Sequence, residues 1–140
     1  MDNRIYYLLT KAESAATGYI RQQFSDAGLK VTPAQLGLLF LLKGKDGRSM
    51  TELSRDLAMD NSAVSRAVDR LERSGLVERN SSPDDRREYR ITITNEGIRE
   101  TDDAKKIIAA INKKIASEFS QVELDDFSRY LLRMNNLFKS

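Results

Sequence analysis

Apolar residues in the first part of the chain recur at intervals of three and four positions, the spacing of one face of an α-helix. They stand at positions 5, 8, 9, 12, 15, 16, 19, 20 and 24. This stripe predicts a long amphipathic helix from Ile5 to about Phe24. A second helix start is predicted at Thr32 to Gln35, with Thr32 as N-cap and Pro33 at the first helical position. The leucine-rich run that follows is apolar nearly all round, so this helix should be central.

Two short helices joined by a turn of about three or four residues are predicted next. The segment from Ser49 to Glu52 has the pattern of a capping box and opens the first of them. Its inner side is formed by three apolar residues, Leu53, Leu57 and Ala58. The second helix begins at the N-cap oxygens of residues 60–62 and ends at Gly75. Its core stripe consists of Val64, Ala67, Val68 and Leu71. Such a pair is typical of a helix-turn-helix.

A spacing of two replaces the helical spacing after residue 76. Tyr89, Ile91 and Ile93 alternate with polar residues, which is typical of a half-buried β-strand. Residues 76–79 form the partner strand, and the polar loop 80–88 connects the two. We therefore predict a β-hairpin with arginines in its loop.

A long helix is predicted after Thr94, and Ser120 to Glu123 is the capping box of a last helix. The apolar residues of this last helix fall at positions 124, 127, 131, 134 and 138, an a/d seam. Packing inside the same domain is one interpretation, and a subunit interface formed with the N-terminal helix is the other. We favour the interface, because two long terminal helices with continuous stripes exceed what a small winged domain can cover.

These elements predict a mainly α protein with a small β-hairpin wing, an α+β winged helix-turn-helix flanked by long terminal helices. The 140 residues fit one domain with a hydrophobic core. Cysteine and histidine are absent, which excludes disulfides, Cys/His zinc sites and imidazole relays. No glycine-rich phosphate loop appears either. We predict a protein that is not an enzyme and needs no metal or cofactor; a carboxylate-only catalyst is the remaining alternative.

No apolar run is long enough to cross a bilayer, since the longest, residues 36–42, is interrupted by Gly37. The N-terminal residues also lack the apolar core of a signal peptide. The prediction is a cytoplasmic protein with no membrane partner.

The net charge of +2 is weak evidence for a nucleic-acid partner, but the distribution of basic residues says more. Between residues 46 and 104 every basic residue is arginine. The planar guanidinium suits phosphates and guanine edges better than the lysine ammonium does. A solvated face of ion pairs is the alternative, because residues 60–90 carry as many acids as arginines.

The outward face of the second short helix is polar and rich in arginine. Because a helix entering a major groove reads bases with its N-terminal residues, four side chains are candidates for readout: Asn61, Ser62, Ser65 and Arg66. Arg66 could take a bidentate pair with guanine. Arg70 and Arg73 lie further along and suit phosphates, and Asp69 is placed to orient Arg66 or Arg73. A solvated face explains the arginines, but not the three small polar residues.

The hairpin loop carries Arg86 and Arg87 beside Asp84 and Asp85. One interpretation is that Asp85 braces a neighbouring arginine, which then extends into a narrow minor groove. A hydrophilic turn is the other. The residues predicted to contact DNA from this loop are Asp85, Arg86 and Arg87.

The order of elements and the residues themselves resemble the MarR family of regulators. Four stretches carry the resemblance: residues 29–36, 50–57, 62–79, and 84–87 with 91–97. The resemblance implies one domain over residues 1–140, with the winged helix-turn-helix at about 33–94 and dimerisation helices at about 4–27 and 95–139. It implies a homodimer with intertwined terminal helices. By position it makes Ser62, Ser65, Arg66 and Arg70 the residues of a recognition helix in the major groove, with Asp85 as the wing's bracing acid and Arg87 as its inserted arginine.

The resemblance further implies a regulator, more often a repressor, that binds a pseudo-palindromic operator in double-stranded DNA. Many relatives release DNA when an anionic, often phenolic, small molecule binds between the dimerisation helices and the DNA-binding lobe. Arg4, Tyr6, Tyr7 and Tyr19 are candidates to line such a cavity, and packing in the core is the alternative for them. The cysteine of the peroxide-sensing branch and the ligands of the zinc-sensing branch are absent. A module that binds proteins through the same winged-helix faces is the second functional hypothesis.

Overall fold

A computed structural model describes residues 3–82, 84 and 88–139 of the chain. Its elements, in chain order, are α1 (Ile5–Asp26), α2 (Pro33–Gly44), β1 (Arg48–Ser49), α3 (Met50–Leu57), α4 (Asn61–Arg73), β2 (Val77–Ser81), β3 (Tyr89–Ile93), α5 (Asn95–Glu118) and α6 (Gln121–Leu137). The chain forms two compact units, Met1–Ile107 and Ile108–Ser140. This mainly α architecture with a small antiparallel sheet confirms the predicted fold class.

The core of the first unit lies between α2, α3, α4 and the sheet. Four leucines of α2 are buried, Leu36, Leu38, Leu39 and Leu42, which confirms its central place. Phe40 on the same helix is 41% exposed, so the expectation of an apolar surface buried nearly all round is wrong for this residue. One side of α2 therefore remains open in the single chain.

The helix starts follow the predicted caps. In α2, the N–H of Thr32 donates to Gln35 Oε1 at 3.1 Å, and in α3, Ser49 Oγ accepts from the N–H of Glu52 at 3.1 Å. Ala58 ends α3 in the left-handed conformation, with φ of 53°, and is exposed. Its expected place on the inner side of α3 is therefore wrong, because the chain leaves the helix at this residue.

The sheet has the strand order β1-β3-β2, and both pairs are antiparallel. The predicted hairpin is confirmed, with Arg79 opposite Ile91 and Ser81 opposite Tyr89. The loop between β2 and β3 is closed where the N–H of Ser82 donates to the carbonyl of Glu88 at 2.9 Å. Strand β1 was not predicted, because two residues carry no alternation.

The second unit contains the end of α5 and all of α6, which starts at the predicted cap Ser120. The apolar seam of α6 is open in the single chain: Phe127 is 53% and Phe138 79% exposed. In the first unit, α1 exposes Ile5, Leu8 and Leu9 in the same way. Whether these faces form a subunit interface, and whether residues 1–140 act as one domain, remain predictions. Among the described residues no helix is long and apolar enough to span a membrane.

Candidate nucleic-acid interface

The helix pair α3 and α4 is joined by a short turn at residues 58–60, the predicted helix-turn-helix connection. Asp60 caps α4 by accepting the N–H of Ala63 at 2.7 Å. Three side chains of α4, Val64, Val68 and Leu71, are completely buried. Because a helix anchored by one fully buried stripe cannot roll without opening the core, its opposite face has a defined direction.

That opposite face presents the predicted candidates to solvent. Ser62, Arg66, Arg70 and Arg73 are exposed, and Ser65 is half-buried. Asn61 is exposed too, but its Oδ1 accepts from Ser54 Oγ of α3 at 2.6 Å. This hydrogen bond joins the two helices of the motif, so Asn61 also has a structural role that the sequence did not indicate.

The arginines of the arginine-only stretch divide into two sets. Arg48 binds inward: its Nε donates to the carbonyl of Leu41 at 3.1 Å and its Nη1 lies 2.5 Å from Asp56 Oδ2. Arg66, Arg70 and Arg73, by contrast, have no carboxylate partner within the described part of the chain. The face of α4 therefore carries positive charge that no described residue neutralises through an ion pair.

Asp69 does not have the predicted partner. Its carboxylate accepts from the guanidinium of Arg79 on β2, while Arg73 Nε reaches only the backbone carbonyl of Asp69, at 3.4 Å. The expectation that the Asp69 carboxylate orients Arg66 or Arg73 is wrong. Sequence reasoning missed Arg79, although strand alternation places it on the same face as the buried Val77.

A hollow of about 230 Å³ lies beside the outer face of α4, between this helix and the start of α2. Arg66 and Arg70 line one wall, and Thr32 with Gln35 of α2 line another. The hollow therefore combines two cationic groups with the N-terminal end of a helix, which carries a partial positive charge.

The predicted wing contacts Asp85, Arg86 and Arg87 lie outside the described residues. The base of the wing is described: Asn80 Nδ2 donates to Thr92 Oγ1 across the hairpin at 2.9 Å. Tyr89, at the start of β3, is 47% exposed. The two strands thus hold the two ends of the loop together.

The candidates for an effector cavity are not brought together by the single chain. Tyr6, Tyr7 and Tyr19 are 78%, 55% and 43% exposed, and Arg4 is exposed as well. At 1.5 Å per residue, Tyr6 and Tyr19 stand about 20 Å apart along α1. Their alternative role, packing in the core of this chain, is wrong because they are exposed.

The segment that precedes α2 is bonded to the first turns of α5. Lys30 Nζ lies 2.8 Å from Glu96 Oε1. The hydrogen bond to Glu96 raises the pKa of the Lys30 ammonium above its usual 10.5, and the same bond lowers the pKa of Glu96 below 4.5. In the buried interior, Glu100 Oε1 accepts the N–H groups of Lys30 and Val31 at 2.8 and 3.0 Å. These bonds hold the segment before α2 against α5.

An anchored helix pair, an arginine-bearing outer face and an antiparallel hairpin beside it define a winged helix-turn-helix. A family model described as the MarR family matches residues 29–88, the part that contains these elements. This match confirms the resemblance to the MarR family seen in the sequence.

Known proteins agree with this assignment. The repressor MdtR of Bacillus subtilis is 37% identical over 67 residues, 48% of this chain and 43% of MdtR. The structure of a MepR–DNA complex from S. aureus matches with a TM-score of 0.83 and 20% identity, over 99% of each chain. BpsR of Bordetella bronchiseptica, whose DNA binding is regulated by 6-hydroxynicotinic acid, matches with a TM-score of 0.79 and 22% identity, over 95% of this chain and 94% of that chain. At such identities the two structures establish the fold. The chain spans 56% and 63% of the length of two other curated relatives.

Proposed function

We propose that the protein is a DNA-binding transcriptional regulator whose helix α4 enters the major groove. The observation that carries this proposal is the outer face of α4, where Arg66, Arg70 and Arg73 point outward with no carboxylate partner in the described residues. Unpaired arginines on an anchored helix are suited to a polyanion, because their binding releases counterions from it. MepR, which has the same fold, is known in complex with DNA.

Within this proposal each side chain has a role. Arg66, near the start of α4, reads a guanine through its O6 and N7 atoms, helped by the small side chains of Ser62 and Ser65. Asn61 keeps its Nδ2 group for a base or a phosphate, because its Oδ1 is held by Ser54. Arg70 and Arg73 bind phosphates. The wing residues Asp85, Arg86 and Arg87 keep their proposed role in a minor groove.

We propose that the protein acts as a homodimer on a pseudo-palindrome with half-site centres one helical turn, about 10 bp, apart. The exposed apolar side chains of α1 and of α6 support this proposal, because contiguous apolar surface on a single chain is typical of an interface. The similarity to the repressor MdtR supports repression rather than activation. A regulator of this kind would act in the cytoplasm and would not be an enzyme.

Release by a small anionic or phenolic ligand is part of the same proposal. BpsR, regulated by 6-hydroxynicotinic acid, supports it through the shared fold. The hollow beside α4 also supports it, because an anion between Arg66 and Arg70 would neutralise groups that DNA needs.

Substitution of Arg66 by alanine tests the readout. A duplex is first selected by the wild-type protein from a random-sequence library, and binding to single-base variants of it is then measured. Arg66→Ala should relax the preference at one base pair of each half-site by about 1–3 kcal/mol, because a bidentate guanine contact is lost. Arg99→Ala, which removes an exposed arginine from α5, is the matched control and should leave the preferences unchanged.

If Arg66→Ala keeps the wild-type ranking of the variant duplexes, the assignment of Arg66 is wrong.

The salt dependence of the wild-type affinity separates DNA binding from a protein-binding module. DNA binding should weaken steeply as salt rises, because each neutralised phosphate releases counterions. An affinity for duplex DNA that does not change with salt would contradict the proposal and favour the protein-binding alternative.

A further inference from the structure

Arg79 is a charged residue on the inner face of the wing. It stands in β2 opposite Ile91, and two positions after Val77. Val77 and Ile91 are both buried, at 1% and 0% exposure, whereas the Arg79 side chain keeps 27%. The side chain therefore runs inward from the hairpin along apolar neighbours, and its guanidinium emerges at helix α4.

The guanidinium and the backbone N–H of Arg79 both bind α4. Its Nη2 donates to Asp69 Oδ1, and its backbone N–H donates to Glu72 Oε2 at 3.3 Å. Asp69 and Glu72 are three residues apart and lie on one face of α4. One residue of the wing is thus held by two carboxylates of the recognition helix.

The register of the hairpin explains why the backbone N–H is available. Bonds from Thr94 N to Leu76 O and from Ser82 N to Glu88 O place every second residue of β2 in a hydrogen-bonded pair with β3. Arg79 falls between such pairs, so its N–H points away from β3. Because β2 is an edge strand, this N–H faces α4, where Glu72 accepts it.

A phosphate contact for Arg79 is the alternative use of its charge. Two observations oppose it: the guanidinium already has a carboxylate partner, and its Nε is buried without a hydrogen bond to the described residues. A buried Nε cannot contact a DNA backbone, whereas Arg66 and Arg70 are exposed residues.

We infer that Arg79 is a positioning residue that locks the wing hairpin to the recognition helix through Asp69 and Glu72. This inference rests on the proposed function, because the lock matters where both elements must meet DNA at a defined spacing. Beyond its pairing with the two-residue strand β1, the hairpin is two-stranded, and a two-stranded hairpin alone is marginally stable. Tying its middle to α4 fixes the distance between the groove that α4 enters and the groove that the wing reaches.

The test compares Arg79→Met, which keeps an unbranched apolar stem but removes the guanidinium, with Asp69→Asn and with the double variant. Arg99→Met, an exposed arginine on α5, is the control for the loss of one charge. Hydrogen exchange of the DNA-free proteins is measured over residues 77–93 and over α5. We expect faster exchange at 77–93 in both single variants and no further change in the double variant. Exchange in α5 should stay at the wild-type rate in every variant. The control Arg99→Met should show wild-type exchange in both regions.

Footprints on the duplex selected by the wild-type protein supply the second readout. Arg79→Met should keep the protection of guanine N7 in the major groove, lose the protection of the flanking minor groove from hydroxyl radicals, and bind roughly tenfold more weakly. A variant that merely folds less well would lose both protections in parallel.

Wild-type exchange at 77–93 in Arg79→Met, or equal loss of both footprints, would overturn the inference. Additive effects of the two substitutions would do so as well, because residues that act through one contact are not additive. If the wild-type protein gives no footprint at all, the proposed DNA-binding function fails, while hydrogen exchange still decides whether Arg79 holds the hairpin. Asp69→Asn, a nearly isosteric change at a half-exposed site, keeps the test valid if Arg79→Met does not fold.

Discussion

Arginine residues of the same stretch have different roles because their neighbours differ. Arg66 stands on the exposed face of α4 with no carboxylate partner in the described residues, whereas Arg79 reaches an aspartate from the inner face of a strand. The overall charge between residues 60 and 90 balances to zero, so composition could not separate these roles. Their positions distinguish them: Arg66 lies opposite the buried face of α4, whereas Arg79 lies on the buried face of β2.

Gly97 is a second residue whose role depends on its neighbours. It lies in the first turn of α5, and its N–H donates to Thr94 Oγ1 at 3.0 Å. A Cβ atom at this position would lie 2.2 Å from the carbonyl oxygen of Leu76 and 2.7 Å from Ile93 Cγ1. The absence of a side chain therefore allows α5 to approach the start of β2.

Replacing Gly97 by alanine should lower the free energy of unfolding by about 1–3 kcal/mol, because the backbone at Leu76 must shift to make room. Gly18→Ala is the matched control: Gly18 lies inside α1, and a Cβ there would meet nothing within 4 Å. That change should be neutral or stabilising by up to about 1 kcal/mol. Denaturant unfolding at one fixed protein concentration measures the free energy of unfolding of both variants and of the wild type. Equal effects of the two substitutions would show that the close approach at Leu76 does not matter.

At the scale of elements, the sequence predicted the features that depend on residues close together in the chain, such as helix starts and the hairpin. Thr32, Ser49, Asp60 and Ser120 act as N-caps within the same turn, so the helix starts could be predicted without tertiary structure. The alternation in β3 likewise predicted the hairpin. Strand β1 could not be predicted, because its two residues pair with a strand some forty positions away. The contact of Asp69 with Arg79 was missed for the same reason, since it joins two different elements.

The ion pair between Lys30 and Glu96 joins the segment before α2 to α5, so its effect belongs to this scale. The pKa of Glu96 is lowered, and its contribution to stability is therefore present above 4.5 and lost as the pH falls through the folded-state pKa. The pKa of Lys30 is raised, and its contribution is present below 10.5 and lost as the pH rises through the folded-state pKa. The pair thus stabilises the protein between these two limits.

Glu96→Gln should lower the melting temperature slightly at neutral pH, and the difference from the wild type should shrink in acid and again in strong alkali. The effect is small because Lys30 is exposed and Glu96 is only half-buried, so that solvent screens the pair. Glu78→Gln, an exposed carboxylate on β2 without an ion pair in the described part of the chain, is the control and should show no such window. A difference that stays constant from acid to alkaline pH would show that the ionised pair is not the cause.

At the scale of the whole molecule, a second copy of the chain is the partner that the proposed function needs. The predicted seam of α6 remains uncovered in the single chain, with Phe127 53% and Leu131 39% exposed. A regulator that reads a palindrome requires two copies of α4 related by a two-fold axis. In the proposed dimer, the apolar seam and the proposed DNA-binding face are therefore related through symmetry, although they lie on different elements.

Leu131→Glu should convert a dimer into a monomer, because burying an unpaired carboxylate in an apolar seam weakens association by roughly a hundredfold or more. Asn136→Glu adds the same charge to α6 at an exposed position off the seam and should leave the dimer intact. Sedimentation equilibrium measures the mass of each, and titration with the selected duplex measures its affinity. The Leu131→Glu protein should bind the full palindrome no better than an isolated half-site, since two tethered contacts are replaced by one. If Leu131→Glu sediments as a dimer, as Asn136→Glu should, the seam of α6 is not the interface. A wild-type protein that sediments as a monomer would contradict the dimeric mode of binding itself.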